Sequence, residues 1–207
     1  MKFCGKTYNS GITLKGIKKG LSQLKVDKLS VPAKFSDRAS VALVLSGNEK
    51  DLKLCLIQRA IRSTDPWAGQ MALPGGRATL DDPDSFSVAI REVREEVGID
   101  LSSAIFLGRL SDIQLMRGGK VTLGVVTPFL FYMGIREEPF LIDKTEDKHA
   151  IWIAVSYLQN PANQRNLRDS SLSRAREISA IYFEQKLIWG MTYRLISDLF
   201  SLCQPVG

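Results

Sequence analysis

Apolar residues fall along this chain in two kinds of pattern, short near-continuous runs and stretches with a three-to-four-residue period. Ser40–Leu45 and Leu52–Gln58 are runs, separated by the turn-rich Ser46-Gly47-Asn48-Glu49-Lys50, and this predicts two strands. The following stretch, Ser63 through Gly76, is rich in small and special residues and reads as a loop. A helix is expected over roughly Pro83 to Val97. Asp82 stands before a proline at the first helical position and reads as its cap, and Gly98 supplies the left-handed stop. On that helix Phe86, Ala89, Ile90, Val93 and Val97 share a face suited to docking on a sheet.

Ile105–Leu110, Val121–Met133 and Ala150–Val155 read as further strands, and the polar stretch Gln159–Glu177 as a loop. Helical periodicity returns over Gln185–Leu202, carried by Leu187, Ile188, Met191, Leu195, Leu199 and Cys203. A weaker helical pattern near the start runs through Ile12, Leu14, Ile17, Leu21 and Leu24. The order is that of a mixed α/β protein.

The chain has 207 residues, 44% hydrophobic and 24% charged, which suits one domain with a full core. No apolar run is long enough to span a bilayer, and Met1 to Ser10 lacks the apolar stretch of a secretory leader. Cys4, Cys55 and Cys203 are odd in number and without CxxC spacing, which argues against a disulfide framework or a zinc site. A reducing, cytoplasmic setting is the expectation.

Charge alters the picture only at the start. The net charge is +6, yet residues 1–34 hold eight lysines against one acid, Asp27, so that the remainder sums to −1. We therefore expect two parts, a basic arm over 1–34 and a main domain over 35–207. The arm has three readings: a helix packed on the core, a segment that attracts polyanions, or a transit peptide. The absence of arginine weakens the last and the apolar spacing favours the first. Nucleic acid and membrane are not the expected partners.

The chemistry gathers in Leu73-Pro-Gly-Gly76 and Arg91-Glu-Val-Arg-Glu-Glu-Val-Gly-Ile99. On a helix Glu92, Glu95 and Glu96 lie at i, i+3 and i+4 and so share one face. Crowded carboxylates repel one another unless a cation neutralises them. A solvated charged helix is the bland alternative, and the adjoining glycines weigh against it, because Gly75 and Gly76 permit backbone geometry closed to other residues. All-oxygen ligation suits Mg²⁺ or Mn²⁺ rather than zinc, and such ions keep positions open for phosphate. No GxxxxGK[ST] or GxGxxG motif occurs.

Gly76 followed by Arg91-Glu92-Val93-x-Glu95-Glu96-x-Gly98-Ile99 resembles the Nudix box, with every fixed position of its ending present. Two departures stand out. The loop from Gly76 to Arg91 is one residue longer than usual, and the mid-loop acid is Asp82 rather than glutamate; this form resembles the coenzyme A diphosphatase branch. Arg59-Ala60 and Pro66-Trp67-Ala68-Gly69-Gln70-Met71-Ala72 before the box are similar to that branch's upstream signature. Its second arginine would fall at Asp65, with Arg62 nearby. Val126-Thr-Pro-Phe129, Trp152-Ile153 and Trp189-Gly-Met-Thr-Tyr193 resemble segments of bacterial relatives.

The resemblance implies an α/β/α sandwich with a mixed sheet between the box helix and the C-terminal helix. It also implies a Mg²⁺- or Mn²⁺-dependent hydrolase of diphosphate linkages, acting on a small nucleotide-derived substrate. Coenzyme A or an acyl-CoA leads, before ADP-ribose, nucleotide sugars, dinucleotides or nucleoside triphosphates; a ligand- or RNA-binding module is the rival class. Glu92, Glu95, Glu96 and the Gly76 carbonyl would hold the ion, and Glu92 or Glu95 would orient or deprotonate water. Arg91 would fix a box glutamate by a guanidinium bridge. Arg59, Arg62 and Arg77 would receive phosphates. Glu146 is an alternative base, read otherwise as a loop acid, and His149 is the one histidine. Trp152 and Trp189 read as core, and Trp67 as a loop residue packed into the fold. The family also allows a homodimer.

Overall fold

A computed structural model describes residues 11–30, 34, 37–59, 69–117, 120–135, 150–169 and 176–204. Its centre is a mixed sheet. β1 (Arg38–Asn48) pairs antiparallel with β2 (Asp51–Gln58) and parallel with β7 (Lys120–Tyr132) over Arg38–Leu45. β5 (Ile105–Arg109) and β6 (Ile113–Arg117) both lie antiparallel to β7, and β8 (Ala150–Ala154) lies antiparallel to β2. Two short strands, β3 (Met71–Ala72) and β4 (Gly75–Arg77), join β2 and β1 respectively.

Alternation along β1 sorts the two faces of this sheet. Val41, Leu43 and Leu45 enter one apolar cluster, and Ala42 and Val44 enter the other. The second cluster receives α2 (Ser85–Val97) through Ala89, Val93 and Val97. The first receives α1 (Leu14–Gln23) through Leu14 and Ile17, and α4 (Gly190–Ser201) through Leu195, Ile196 and Leu199. The layering is α/β/α, as expected. Beside it, α3 (Val155–Gln159) leads into a three-stranded sheet ordered β11 (Lys186–Trp189), β10 (Arg176–Phe183), β9 (Gln164–Asp169).

α1 opens on Thr13, whose hydroxyl accepts from the Gly16 amide at 3.0 Å. Its lysines face outward while Ile17 is fully buried. Two glycines set how closely α1 meets the end of α4. A Cβ at Gly16 would stand 2.9 Å from Cys203 Sγ, and one at Gly20 would collide with the Leu202 carbonyl.

Several elements differ from the sequence reading. The box helix starts at Ser85 with Asp84 as its cap, the Asp84 carboxylate accepting from Ser87 N–H at 2.8 Å, so Asp82 and Pro83 precede the helix. The expected loop before Gly76 contains β3 and β4. Gln159–Glu177 holds β9, stabilised by its ladder to β10 rather than by an apolar pattern. Residues 186–189 form β11 instead of helix, and α4 begins only at Gly190. β6 had no counterpart in the reading. Trp152 and Trp189 are half-buried rather than enclosed. No helix among the described residues is long and apolar enough to cross a membrane.

Candidate active site

The site is built where β4 runs beneath α2. Gly75 and Gly76 lie opposite Val41 and Ser40 of β1, and Pro74 bonds through its carbonyl to Ala42 N–H at 2.9 Å. Gly75 has φ +155°, and a Cβ there would collide with the Ser40 carbonyl. A Cβ at Gly76 would instead overlap the Glu92 carboxylate. The paired glycines therefore let a strand pass directly under an acidic helix face. The helix start is tied to the same strand, with Ser40 Oγ donating to the Ser85 carbonyl at 2.7 Å.

The three box glutamates occupy graded environments. Glu96 is buried at 8% exposure, and its Oε2 accepts from Gly75 N–H at 2.8 Å. Glu92 is half-buried; burial pushes its carboxyl up, Arg91 opposes that, and the charges of Glu96 and Glu95 add to it. Glu95 is exposed. The shared acidic face of the sequence reading is thus split, because one edge of it turns inward toward β4. Among the described residues no group of three or more His, Cys, Asp or Glu side chains is already arranged around a common metal position.

Arg91 organises the cluster. Its Nε and NH2 donate to the two carboxylate oxygens of Asp82 at 3.0 and 2.9 Å, and its NH1 donates to Glu92 Oε1 and Glu95 Oε2, both at 2.9 Å. NH2 also donates to the Arg77 carbonyl at 3.0 Å. Asp82 further accepts from the Thr79 amide at 2.8 Å and hydroxyl at 2.9 Å. Its carboxyl falls to about 2, chiefly through the Arg91 hydrogen bonds, while Arg91 itself is pushed up by the same contact. The bridge to a box glutamate expected for Arg91 is present and extends to four partners, and Asp82, expected both as the mid-loop acid and as the helix cap, serves Arg91 while Asp84 caps the helix. An arginine nine residues after an aspartate, across a helix start, was the available signal.

Arg77 is exposed at the end of β4, with its carbonyl in the Arg91 network. Arg59 is half-buried after β2, its backbone N–H donating to Gln70 O at 2.9 Å and its carbonyl accepting from Gly69 N–H at 3.0 Å. That pairing brings Arg59 and Gly69 together on the approach to Gly75 and Gly76. An open groove of about 670 Å³ follows the outer face of α2, lined by Asp82, Ser87, Arg91, Arg94 and Glu95 among others. Arg94 had no place in the sequence reading; only its helical spacing from Arg91 foretold it. Arg62, Trp67, Glu146, His149 and Cys4 lie outside the described residues.

The NUDIX domain model matches residues 36–176, more than half of the chain. The chain belongs to the Nudix family. Members of this family are hydrolases that cleave pyrophosphate bonds. The chain is 36% identical over 124 residues to an uncharacterized protein of Schizosaccharomyces pombe, an alignment covering 56% of this chain and 36% of that one. It is 29% identical over 148 residues to an uncharacterized Nudix hydrolase, NudL, of Escherichia coli, covering 70% and 72%. A MutT/nudix family protein of Enterococcus faecalis superposes with a TM-score of 0.48 at 20% identity, covering 92% of this chain and 69% of that one. The Nudix chain thus spans about a third of the fission-yeast relative.

Proposed function

We propose that the chain hydrolyses the diphosphate linkage of a nucleoside diphosphate derivative, with coenzyme A or an acyl-CoA as its leading substrate. The observation that carries the hydrolytic reading is the carboxylate array itself. Glu96 turns in to the Gly75 amide, Glu92 occupies the space over Gly76, and Arg91 orients Glu92 and Glu95 on the same helix. The coenzyme A preference is supported by the longer box loop with Asp82 and by the residues around Arg59 and Gly69 that resemble that branch.

The donor set suits a hard divalent cation. Glu92 is uncomfortable as an anion between burial and two neighbouring carboxylates, and that discomfort is what a bound cation relieves. Glu92, Glu95, Glu96 and the Gly76 carbonyl would hold Mg²⁺ or Mn²⁺. When bound, the ion supplies charge neutralisation for the bridging phosphate oxygens and the leaving phosphate.

The remaining work falls to the protein's own groups. Water adds to one phosphorus and the bond to the bridging oxygen breaks. The proton released in this step passes to a carboxylate, Glu92 or Glu95. Arg91 keeps Glu92 and Glu95 in the rotamers the reaction uses. Arg59, Arg62 and Arg77 are the candidates for receiving substrate phosphates.

The test is a panel of coenzyme A, acetyl-CoA, ADP-ribose, NADH, diadenosine polyphosphate and dNTPs with Mg²⁺ or Mn²⁺, followed by product analysis. Turnover of coenzyme A to its two phosphate-bearing halves is expected, with loss of about 100-fold or more in Glu92→Gln and Glu96→Gln. Turnover confined to another member of the panel rejects the coenzyme A assignment. Activity untouched by both substitutions rejects the hydrolytic site.

A further inference from the structure

Ser40 is enclosed on β1 at 1% exposure, and a buried hydroxyl needs an acceptor. It finds one in the carbonyl of Ser85, the first residue of α2, at 2.7 Å. The Asp84 carboxylate already caps that helix end by accepting from Ser87 N–H, so the Ser40 bond is not a cap. It joins the helix sideways to the sheet. Ser40 also stands opposite Gly76 in the β1–β4 ladder and opposite Thr127 in the β1–β7 ladder.

The place of this bond along α2 gives it reach. Ser85 and Glu92 are seven residues apart on the helix, two turns along one face and about 10 Å. Glu96 continues that face by one more turn. The polar ties from α2 to the strands beneath it include Ser40 to Ser85, Arg91 NH2 to the Arg77 carbonyl at 3.0 Å, and Gly75 N–H to Glu96 Oε2 at 2.8 Å. The last two use groups of the glutamate array itself. Ser40 stands outside it.

Burial of Ala89, Val93 and Val97 holds α2 to the sheet, but that attraction is non-directional. Directional bonds must fix how the helix is rolled about its axis. Roll matters here because the Glu92 carboxylate occupies the space directly over Gly76. A roll of about 10° at a side-chain radius of about 6 Å carries a carboxylate about 1 Å. Mg²⁺ demands near-ideal geometry from its oxygen ligands and tolerates little of that displacement.

We propose that Ser40 is a positioning residue for the metal-binding carboxylates: its hydroxyl sets the roll of α2, and with it where Glu92 stands over Gly76. This rests on the metal-dependent reading of the array. Ser40 acts through the helix, two turns away from Glu92. Thr127 provides a matched control. It is the neighbour of Ser40 on β7, buried at 6% exposure, yet its hydroxyl donates to Asp112 at 2.9 Å rather than to α2. Asp112 keeps Leu29 N–H and Arg109 when that hydroxyl is removed.

The test titrates Mn²⁺ into the substrate-free protein and reads the free ion by electron paramagnetic resonance, with circular dichroism confirming that each variant is folded. Ser40→Ala should bind Mn²⁺ about tenfold more weakly than wild type, the lower end of what losing an outer partner of a metal ligand costs. Thr127→Val, which loses a buried hydrogen bond of similar length, should bind as wild type does. In the diphosphate assay the metal concentration for half-maximal rate should rise by the same factor in Ser40→Ala, with the substrate KM unchanged at saturating metal. Equal Mn²⁺ affinity in Ser40→Ala and wild type overturns the proposal. Equal weakening in Ser40→Ala and Thr127→Val also overturns it, since that marks a general loss of rigidity. Wild type that takes up no Mn²⁺ rejects the metal reading of the glutamates and the role of Ser40 with it. Mn²⁺ uptake without hydrolysis of any diphosphate rejects the activity alone, and the affinities still decide Ser40.

Discussion

Asp82 and Arg91 meet as a two-pronged ion pair, Nε to Oδ1 at 3.0 Å and NH2 to Oδ2 at 2.9 Å, with Asp82 at 5% side-chain exposure. The remaining nitrogen of the guanidinium reaches Glu92 and Glu95. Asp82 thus determines, through Arg91, where two box glutamates point. An aspartate outside the helix is a positioning residue for carboxylates inside it.

Removing that anchor should be felt in both stability and turnover. Asp82→Ala is expected to lower unfolding free energy by about 1–3 kcal/mol, since it strands a charged donor. Activity should fall about 10–100-fold, the usual cost of losing a group that orients ligands. Arg91→Lys should resemble it, because an ammonium cannot make the fork. Urea melts and steady-state kinetics on the same preparations check both numbers; unchanged kcat in Asp82→Ala would sink the positioning role.

The same pair predicts a pH dependence. The Asp82 carboxyl has an ordinary value of 3.8 and a folded value of about 2. A depressed folded value means that its contribution is complete above 3.8 and disappears as pH falls toward 2. The size is about 2 kcal/mol. Stability of wild type minus that of Asp82→Asn, measured from pH 6 to pH 2, should shrink across that window. A constant difference contradicts it.

Gly75 and Gly76 should fail differently when each is replaced by alanine. Gly75→Ala sets a backbone collision with Ser40 on top of a φ of +155°, so it is expected to cost several kcal/mol or prevent folding. Gly76→Ala meets only the end of a side chain, which can move. It should keep the fold and displace Glu92, lowering kcat about 100-fold while thermal stability changes by about 1 kcal/mol. Paired melting curves and kinetics read the contrast.

Cys55 is fully buried on β2, and burial pushes its thiol from 9.0 up to about 12. Its thiolate fraction near pH 8 is then about a thousandfold below that of an ordinary cysteine. Native protein treated with a thiol-disulfide reagent should leave Cys55 unmodified until denaturant is added. Labelling of Cys55 in the folded state, read by peptide mass, would contradict its enclosure.

The glutamate array was readable because its signals are local. Arg91, Glu92, Glu95 and Glu96 carry helical spacing, Gly98 marks a left-handed stop with φ +64°, and Gly75 and Gly76 stand shortly before that helix. Asp82 was misread because a good cap residue followed by proline satisfies local rules, while its actual partner lies nine residues on. β11 was read as helix for a similar reason. Leu187, Ile188 and Met191 fit a helical period, but Lys186–Trp189 pair with Phe183–Ala180 through a hairpin turned by Glu184 and Gln185. Both turn residues have positive φ and neither is the glycine or asparagine that normally announces such a turn. The anchoring of residues 27–29 to Ser111 and Asp112 joins positions more than eighty residues apart, which no periodicity reports.

The bare Cα atoms of Gly16 and Gly20 bring α1 directly against Cys203 and the Leu202 carbonyl, the residues that follow α4, and both helices cover the same apolar cluster. Neither helix can peel away without uncovering the other's apolar side, so amide exchange in both should be governed by one opening event. A single methyl introduced at position 20 would be registered 179 residues later, as faster exchange around Leu199.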